Sequence, residues 1–402
     1  MGELQFVLGP SGSGKTEYID RRIIKESISE PGLNYLFLVP EQSSLAIQTK
    51  LVKLHPNGGF FNIEVFGFNR LAYTVFDELN VRTSSVLDDY GKSMLLRSLA
   101  GKLKDRLVYY QNSLDKNGFI DQLKSFMSEL YQYDISRAEL REAVDKLQAT
   151  PGNDALVNKL KDMLVIFEEF DDYMKDNSMI VAEQTTELLV KKIGQSRRLE
   201  NTVVIMDGFT GFTPIQLNVI RELMAKVKKI YAVVTIDRES YFKMHMKNHE
   251  LFYLSRKTIG SLGRLADETH TFISDEIWPE DFGEEIHSRW RSAELVHLEQ
   301  NIFRYPYKRY TGTDVQDVNI SCFATSADEI HSVAATIRYM VNMDGYRYKD
   351  IAVVSGNLEK TAELTDRIFP QYGIVYFNDY NQKLKSNAVI DGILALFDLL
   401  ER

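Results

Sequence analysis

Apolar positions along this chain follow two periods. Short continuous apolar runs at 4–8, 35–39 (closed by Pro40), 63–66, 203–206 and 230–235 read as buried strands. Behind the first of them, Ile19, Ile23, Ile24 and Ile28 recur as one face of a helix would. Buried strands alternating with helices predict a parallel sheet covered on both faces. Between 85 and 185 the pattern changes. Helical spacing dominates there, as in Met94, Leu95, Leu99 and Leu103, then Phe126, Leu130 and Tyr133, then Leu160, Leu164 and Phe167. From 240 to 300 the chain again reads as mostly helical. Runs at 318–323, 351–354 and 374–377 look like strands of a second α/β domain, with a helical segment at 327–341 and an apolar helix at 389–400.

The 402 residues suit two or three domains. The pattern divides them into a first α/β domain (1–84 and 186–295), a helical insertion (85–185) and a second, incomplete α/β domain (296–402). The last of these makes the chain read as part of a longer protein.

Candidate chemistry sits at the end of the first strand. Gly9-Pro10-Ser11-Gly12-Ser13-Gly14-Lys15-Thr16 fits the phosphate-binding P-loop, G-x-x-x-x-G-K-[ST]. Strand, glycine loop and helix together turn backbone N–H groups toward a phosphate at a helix N-terminus. Gly9, Ser11, Gly12, Ser13 and Gly14 form the cradle, Lys15 reaches the β- and γ-phosphates, and the Thr16 hydroxyl binds Mg²⁺. ATP with Mg²⁺ is the expected ligand. Asp207 ends the apolar run at 203–206 and suits a second Mg²⁺-ligating role; the alternative is a strand-end residue capping the next helix. Gly208 follows, where ATPase motors usually place a Glu that activates water. Loss of a general base costs roughly 10²–10⁴-fold in rate, so binding with slow or absent hydrolysis is expected.

Composition narrows the class. Cys322 is the only cysteine, which excludes an internal disulfide and any four-cysteine zinc or iron–sulfur site, and suits a reducing cytoplasm. No signal peptide and no apolar run of membrane-spanning length is evident. A net charge of −9 weighs against strong DNA binding by this chain alone. The acidic group Glu168, Glu169, Asp171 and Asp172 reads as a solvated helix face. His245 and His249 lie one helical turn apart, but Met246 stands where a metalloprotease needs Glu, and no third ligand is evident.

No Asn-Lys-x-Asp guanine signature occurs, and two α/β domains with a helical interruption suit a superfamily-one helicase. Asp207-Gly208-Phe209-Thr210-Gly211-Phe212-Thr213-Pro214-Ile215-Gln216 resembles that superfamily's D-E-x-Q-D-x-[ST]-P-x-Q motif, keeping the first Asp and Thr-Pro-x-Gln. Leu298-Glu299-Gln300-Asn301 resembles the start of L-E-Q-N-Y-R, with Phe303 at the Arg position and Arg304 one later. Asp350-Ile351-Ala352-Val353-Val354 resembles a strand of the second motor domain, with Gly356 where active helicases often carry Arg. Leu38-Val39-Pro40-Glu41-Gln42 and Phe66-Gly67-Phe68-Asn69-Arg70-Leu71-Ala72, in order behind the P-loop, resemble the AddB component of AddAB helicase–nucleases over nearly the whole chain.

That resemblance implies a P-loop NTPase of RecA-like, superfamily-one helicase type with a partial second RecA-like domain. It implies an AddA-like partner subunit, work on broken DNA ends in recombination, and a degenerate motor that guides and scans single-stranded DNA. A nuclease domain with an iron–sulfur cluster is expected only in a C-terminal part beyond these residues. By position, Gln42, Ser43 and Ser44 match a first DNA-contacting segment, and Phe68, Asn69 and Arg70 a second. The competing reading makes Phe66 and Phe68 core residues and Arg70 a surface charge. Three functional readings stay open: an inactivated ATP-binding module, a working DNA-dependent ATPase, and an interaction scaffold with a relic P-loop.

Overall fold

Alternate residues of Glu3–Gly9 (β1) enter two different cores: Leu4, Phe6 and Leu8 one, Val7 the other. Successive side chains of a strand face opposite ways, and here both faces are covered, which is why the strand reads as an unbroken apolar run. The computed structural model describes residues 2–81, 85–114, 116–149, 152–285, 292–312, 315–379 and 387–400. By contact it divides into two units, Met1–Gly312 and Thr313–Arg402.

In the first unit β1 leads through the glycine loop into α1 (Lys15–Ser29), then β2 (Asn34–Leu38), a single turn at Glu41–Ser43, α2 (Ser44–Leu54), β3 (Ile63–Phe66) and α3 (Phe68–Glu78). A mainly helical stretch follows: β4 (Ser85–Leu87), α4 (Asp89–Lys102), α5 (Asn117–Gln132), α6 (Arg137–Gln148), α7 (Asp154–Asp176) and β5 (Met179–Val181). The chain then returns through α8 (Ala182–Ile193), β6 (Thr202–Met206), α9 (Pro214–Lys226), β7 (Lys229–Thr235), α10 (Arg238–Phe242), α11 (Tyr253–Glu268), β8 (Phe272–Ile277) and α12 (Ala293–Asn301).

Six strands form one parallel sheet in the order β3-β2-β6-β7-β1-β8. Side chains of α3, α8, α9 and α11 pack one face; α1 and Leu51 of α2 pack the other. Parallel strands put all their carboxyl ends at one edge, where open α/β sheets bind ligands. The loops after β1, β2, β3 and β6 therefore share that edge.

β8 corrects the expectation of helix through 240–300. Its sequence, FISDEI, is half polar and leaves no apolar run, because this edge strand, paired with β1, is largely exposed. β4 and β5, three residues each, pair in a separate two-stranded sheet and are too short to leave a periodic signal.

The helical stretch has its own core, running from Leu96 to Val181 and centred on Leu123, Met127, Ile166 and Phe170. Buried Asp162 accepts backbone N–H groups from Val108, Tyr109 and Tyr110 and so holds the loop after α4. Lys92, 1% exposed, donates to Glu183 at 2.8 Å and ties α4 to α8. The acidic group of α7 is more than a solvated face. Arg137 bridges Asp171 and Asp172 at 2.5 and 2.8 Å, and Arg141 and Arg106 meet Glu168 and Glu169.

The second unit contains α13 (Ser326–Met343), α14 (Leu358–Ile368) and α15 (Ala388–Leu400), with a small core of Ile330, Ala334, Ile337, Ile368, Phe369 and Ile374. Runs 318–323, 351–354 and 374–377 join no sheet among the described residues, contrary to expectation. Ile320, Val354 and Phe377 are 95%, 92% and 89% exposed, so no strand or helix among the described residues covers them. An apolar run becomes a strand only where a ladder partner satisfies its backbone.

Candidate functional site

Gly12 and Gly14 carry φ of +82° and +87°, a backbone that L side chains avoid. Those two residues let the loop after β1 double back and enter α1. A Cβ on Gly9 would lie 2.5 Å from Ser13 Oγ, so the loop also needs glycine at its base. Ser13 N–H donates to the Pro10 carbonyl at 3.3 Å, and Lys15 Nζ donates to the same oxygen at 2.8 Å. Lys15 is 8% exposed. Its ammonium thus arches over the loop, in front of the N–H groups at the start of α1, which carry partial positive charge.

Asp207 follows β6 and is buried. Burial raises its carboxyl pKa, while a hydrogen bond from the Thr16 hydroxyl, the Gly208 N–H and the Lys15 charge oppose the rise. The structure therefore brings Thr16 and Asp207 into contact from positions remote in sequence. Gly208 N–H donates to Asp207 Oδ1 at 2.8 Å, and Gly208 has φ of +80°. No larger residue sits there without strain.

Ser11, Gly12, Gly14, Lys15, Thr16 and Asp207 line a cleft of about 510 Å³. The donor set fits a polyphosphate with a hard divalent cation. Glycines allow close backbone approach, and a hydroxyl and a carboxylate meet where the ion would sit. Ser13 Oγ is buried beside Gly9, with no hydrogen-bond partner among the described residues.

Sequence reasoning missed two charged groups here. Asp20 of α1 is 1% exposed, and Lys50 of α2 pairs with it at 2.6 Å. Burial pushes the Asp20 carboxyl up to about 6; Lys50 opposes the rise, and Asp207 and Glu17 add to it. A carboxylate one turn after Thr16, beside Ile19, was the only local signal. Lys50 carries none, because only the tertiary fold brings α2 against α1.

A second cleft, of about 460 Å³, lies along the same sheet edge and includes Pro40, Glu41, Phe68, Asn69, Gly208 and Phe209 in its walls. Glu41 Oε1 accepts the Asn69 N–H at 3.1 Å, placing a carboxylate at the N-terminus of α3. Gly67 abuts that carboxylate and leaves no space for a Cβ. Phe68 is buried, edge-on to Phe209 and Phe212 at 5.8 and 6.5 Å. Phe66 is likewise buried. The burial of these two fits the core reading, and Phe68 also contributes to the wall of the second cleft. Gln42, Asn69 and Arg70 are exposed, and Ser43 and Ser44 are half-buried. Arg70 lies over the Phe66 ring at 5.0 Å.

Thr213-Pro214-x-Gln216 starts α9: Pro214 occupies its first turn, and the Thr213 N–H donates to Gln216 Oε1 at 3.0 Å. These surviving motif residues thus also serve helix initiation. Arg304 Nη1 sits 2.6 Å from Asp237 Oδ2 with its guanidinium over Phe252, so it is held within the first unit.

Among the described residues no helix is long and apolar enough to cross a membrane. The family described as "ADDB, N-terminal" matches residues 6–299. The chain is similar to the B-type subunit of the ATP-dependent helicase/deoxyribonuclease of Lachnoclostridium phytofermentans, at 34% identity over 99% of this chain and 34% of that protein. Proteins of the same name from Alkaliphilus oremlandii and Clostridium novyi are 30% and 28% identical, again over 99% of this chain and 34% of their own lengths. The chain thus spans about a third of the relatives it matches. With the family match covering the sheet, its glycine loop and the helical stretch, the chain belongs to the AddB family.

Proposed function

We propose that this chain is an ATP-binding, helicase-like module whose own hydrolysis is slow or absent. In this reading the loop from Gly9 to Gly14 cradles the phosphates, Lys15 neutralises them, and Thr16 with Asp207 holds Mg²⁺. The observation that carries it is the Thr16–Asp207 contact at the mouth of a glycine loop, followed by Gly208 at positive φ. The contact supports a live metal–nucleotide site, and the glycine supplies no general base for water. The fold is then of P-loop NTPase, RecA-like type, with the second unit, Thr313–Arg402, contributing to a second such domain.

The relatives are named as one subunit of an ATP-dependent helicase/deoxyribonuclease. By that kinship the chain works in the cytoplasm beside an AddA-like partner on broken DNA ends. It guides single-stranded DNA along the sheet edge bearing Gln42, Ser43, Ser44, Asn69 and Arg70.

Calorimetric titration with Mg-ATP, beside Lys15→Ala, tests the nucleotide site. Saturable binding lost in the variant is expected, with negligible turnover when single-stranded DNA is added. Binding that survives Lys15→Ala would count against the P-loop reading, and brisk DNA-stimulated turnover would point to a working ATPase. No binding by either protein would favour a scaffold.

A further inference from the structure

Lys50 enters the P-loop cleft from an element the glycine motif does not include. It lies on α2, the helix that begins with Ser44, and its side chain keeps 38% exposure while lining the cleft. Its ammonium is 2.6 Å from Asp20 Oδ2 and 3.4 Å from Glu17 Oε2, both on α1 just behind Thr16. An ammonium has three N–H donors. The ion pairs with these carboxylates hold the ammonium at the cleft wall, where its remaining donor capacity can serve a ligand.

The charge balance of the cleft makes this cation consequential. Glu17, Asp20 and Asp207 are close enough to influence one another or Lys50, and Lys15 and Lys50 oppose them. With Lys15 alone, Glu17 and Asp207 would line the cleft against an incoming polyanion, with Asp20 buried close behind them. Like charges in a partly desolvated pocket repel by several times what they do in water.

We propose that Lys50 is a second phosphate-binding cation of this cleft, held in place by Asp20 and Glu17 and directed at the nucleotide's terminal phosphates. The proposal rests on the nucleotide-binding reading. It also makes α2 a single rigid element with the Gln42–Ser44 segment at one end and a phosphate contact further along it.

The test is calorimetric titration of the 402-residue chain with Mg-ATP. The proteins compared are wild type, Lys15→Ala, Lys50→Met, Lys50→Arg and the double variant Asp20→Asn/Lys50→Met. Lys50→Met removes the charge at near-constant shape. The double variant also removes the buried carboxylate that Lys50 would otherwise leave unpaired, and melting curves confirm that each protein is folded. Expected is a Kd raised tenfold or more in Lys50→Met and in the double variant, with Lys50→Arg within a few-fold of wild type. Wild-type affinity restored in the double variant would show that Lys50 only neutralises Asp20, and would overturn the proposal. Unchanged affinity in Lys50→Met, with binding lost in Lys15→Ala, would overturn it while leaving the nucleotide site standing. Absence of binding by wild type would remove both.

Discussion

Gly208 faces Pro40 so closely that a Cβ built on the glycine would lie 3.3 Å from Pro40 Cδ. The same glycine carries φ of +80°, in the region that costs an L residue roughly 1–2 kcal/mol. Replacing it by Glu therefore does not rebuild a motor. Gly208→Glu is expected to lower stability by about 1–2 kcal/mol with no gain in DNA-stimulated ATP turnover. Urea unfolding and a phosphate-release assay measure the two effects, and a large gain in turnover would refute the argument.

Thr16 meets Asp207 through its hydroxyl. If Thr16 holds Mg²⁺ as proposed, Thr16→Ala should weaken Mg-ATP binding by about tenfold or more, since the ligand and its orienting contact would both be lost. Binding of ATP in excess EDTA should change little. A loss of equal size with and without Mg²⁺ would mean that Thr16 does not act through the ion.

Asp20 titrates in an accessible window. Burial lifts its carboxyl to about 6 in the folded chain, against an ordinary 3.8. Between those values the folded chain holds a proton that the unfolded chain has released, so stability falls as pH rises through the window. The penalty is complete above the folded value and absent below the unfolded one. Asp20→Asn removes it, with a ceiling of about 3 kcal/mol. Its advantage in urea midpoint should be greatest above about pH 6 and shrink toward pH 4. A constant difference across pH would exclude this origin.

Asp162 accepts three backbone N–H groups. Asp162→Ala strands those donors, each costing about 1–3 kcal/mol where it is buried. Hydrogen exchange should quicken at Val108, Tyr109 and Tyr110, with little change along β1 and β6. Uniform loss of protection would instead show that the two cores unfold as one unit.

Arg70 and Phe68 separate a DNA contact from a core contribution. Arg70→Ala should weaken binding of single-stranded DNA and flatten its salt dependence by about 0.7 in log–log slope, one phosphate's worth. Phe68→Ala should cost about 3–5 kcal/mol of stability, because its ring packs on Phe209 and Phe212. An Arg70→Ala protein with unaltered salt dependence would remove Arg70 from the proposed DNA path.

The sheet was legible wherever strands are buried on both faces. β1, β2, β3, β6 and β7 all read as mainly apolar runs, since their side chains enter cores on both faces of the sheet. β8 escaped because it is largely exposed, only Ile277 of its residues being buried, and an exposed strand tolerates polar residues. The runs near Ile320, Val354 and Phe377 misled for the complementary reason: they carry strand-like residues but have no ladder partner among the described residues.

The sequence by itself determined the glycine loop, because a turn with two residues at positive φ needs glycine at fixed spacing within one strand–turn–helix unit. It determined the motif order that marks the family for the same local reason. Only the tertiary structure decided which distant groups join that loop. Asp207 reaches Thr16 because β6 ends at the same sheet edge as β1. Lys50 reaches Asp20 because α1 and α2 pack side by side on one face of the sheet. Phe68 turned inward because Phe209 and Phe212, some 140 residues later, fill the space beside it. Local pattern carries backbone geometry, while charge pairing and burial depend on neighbours that only the folded chain supplies.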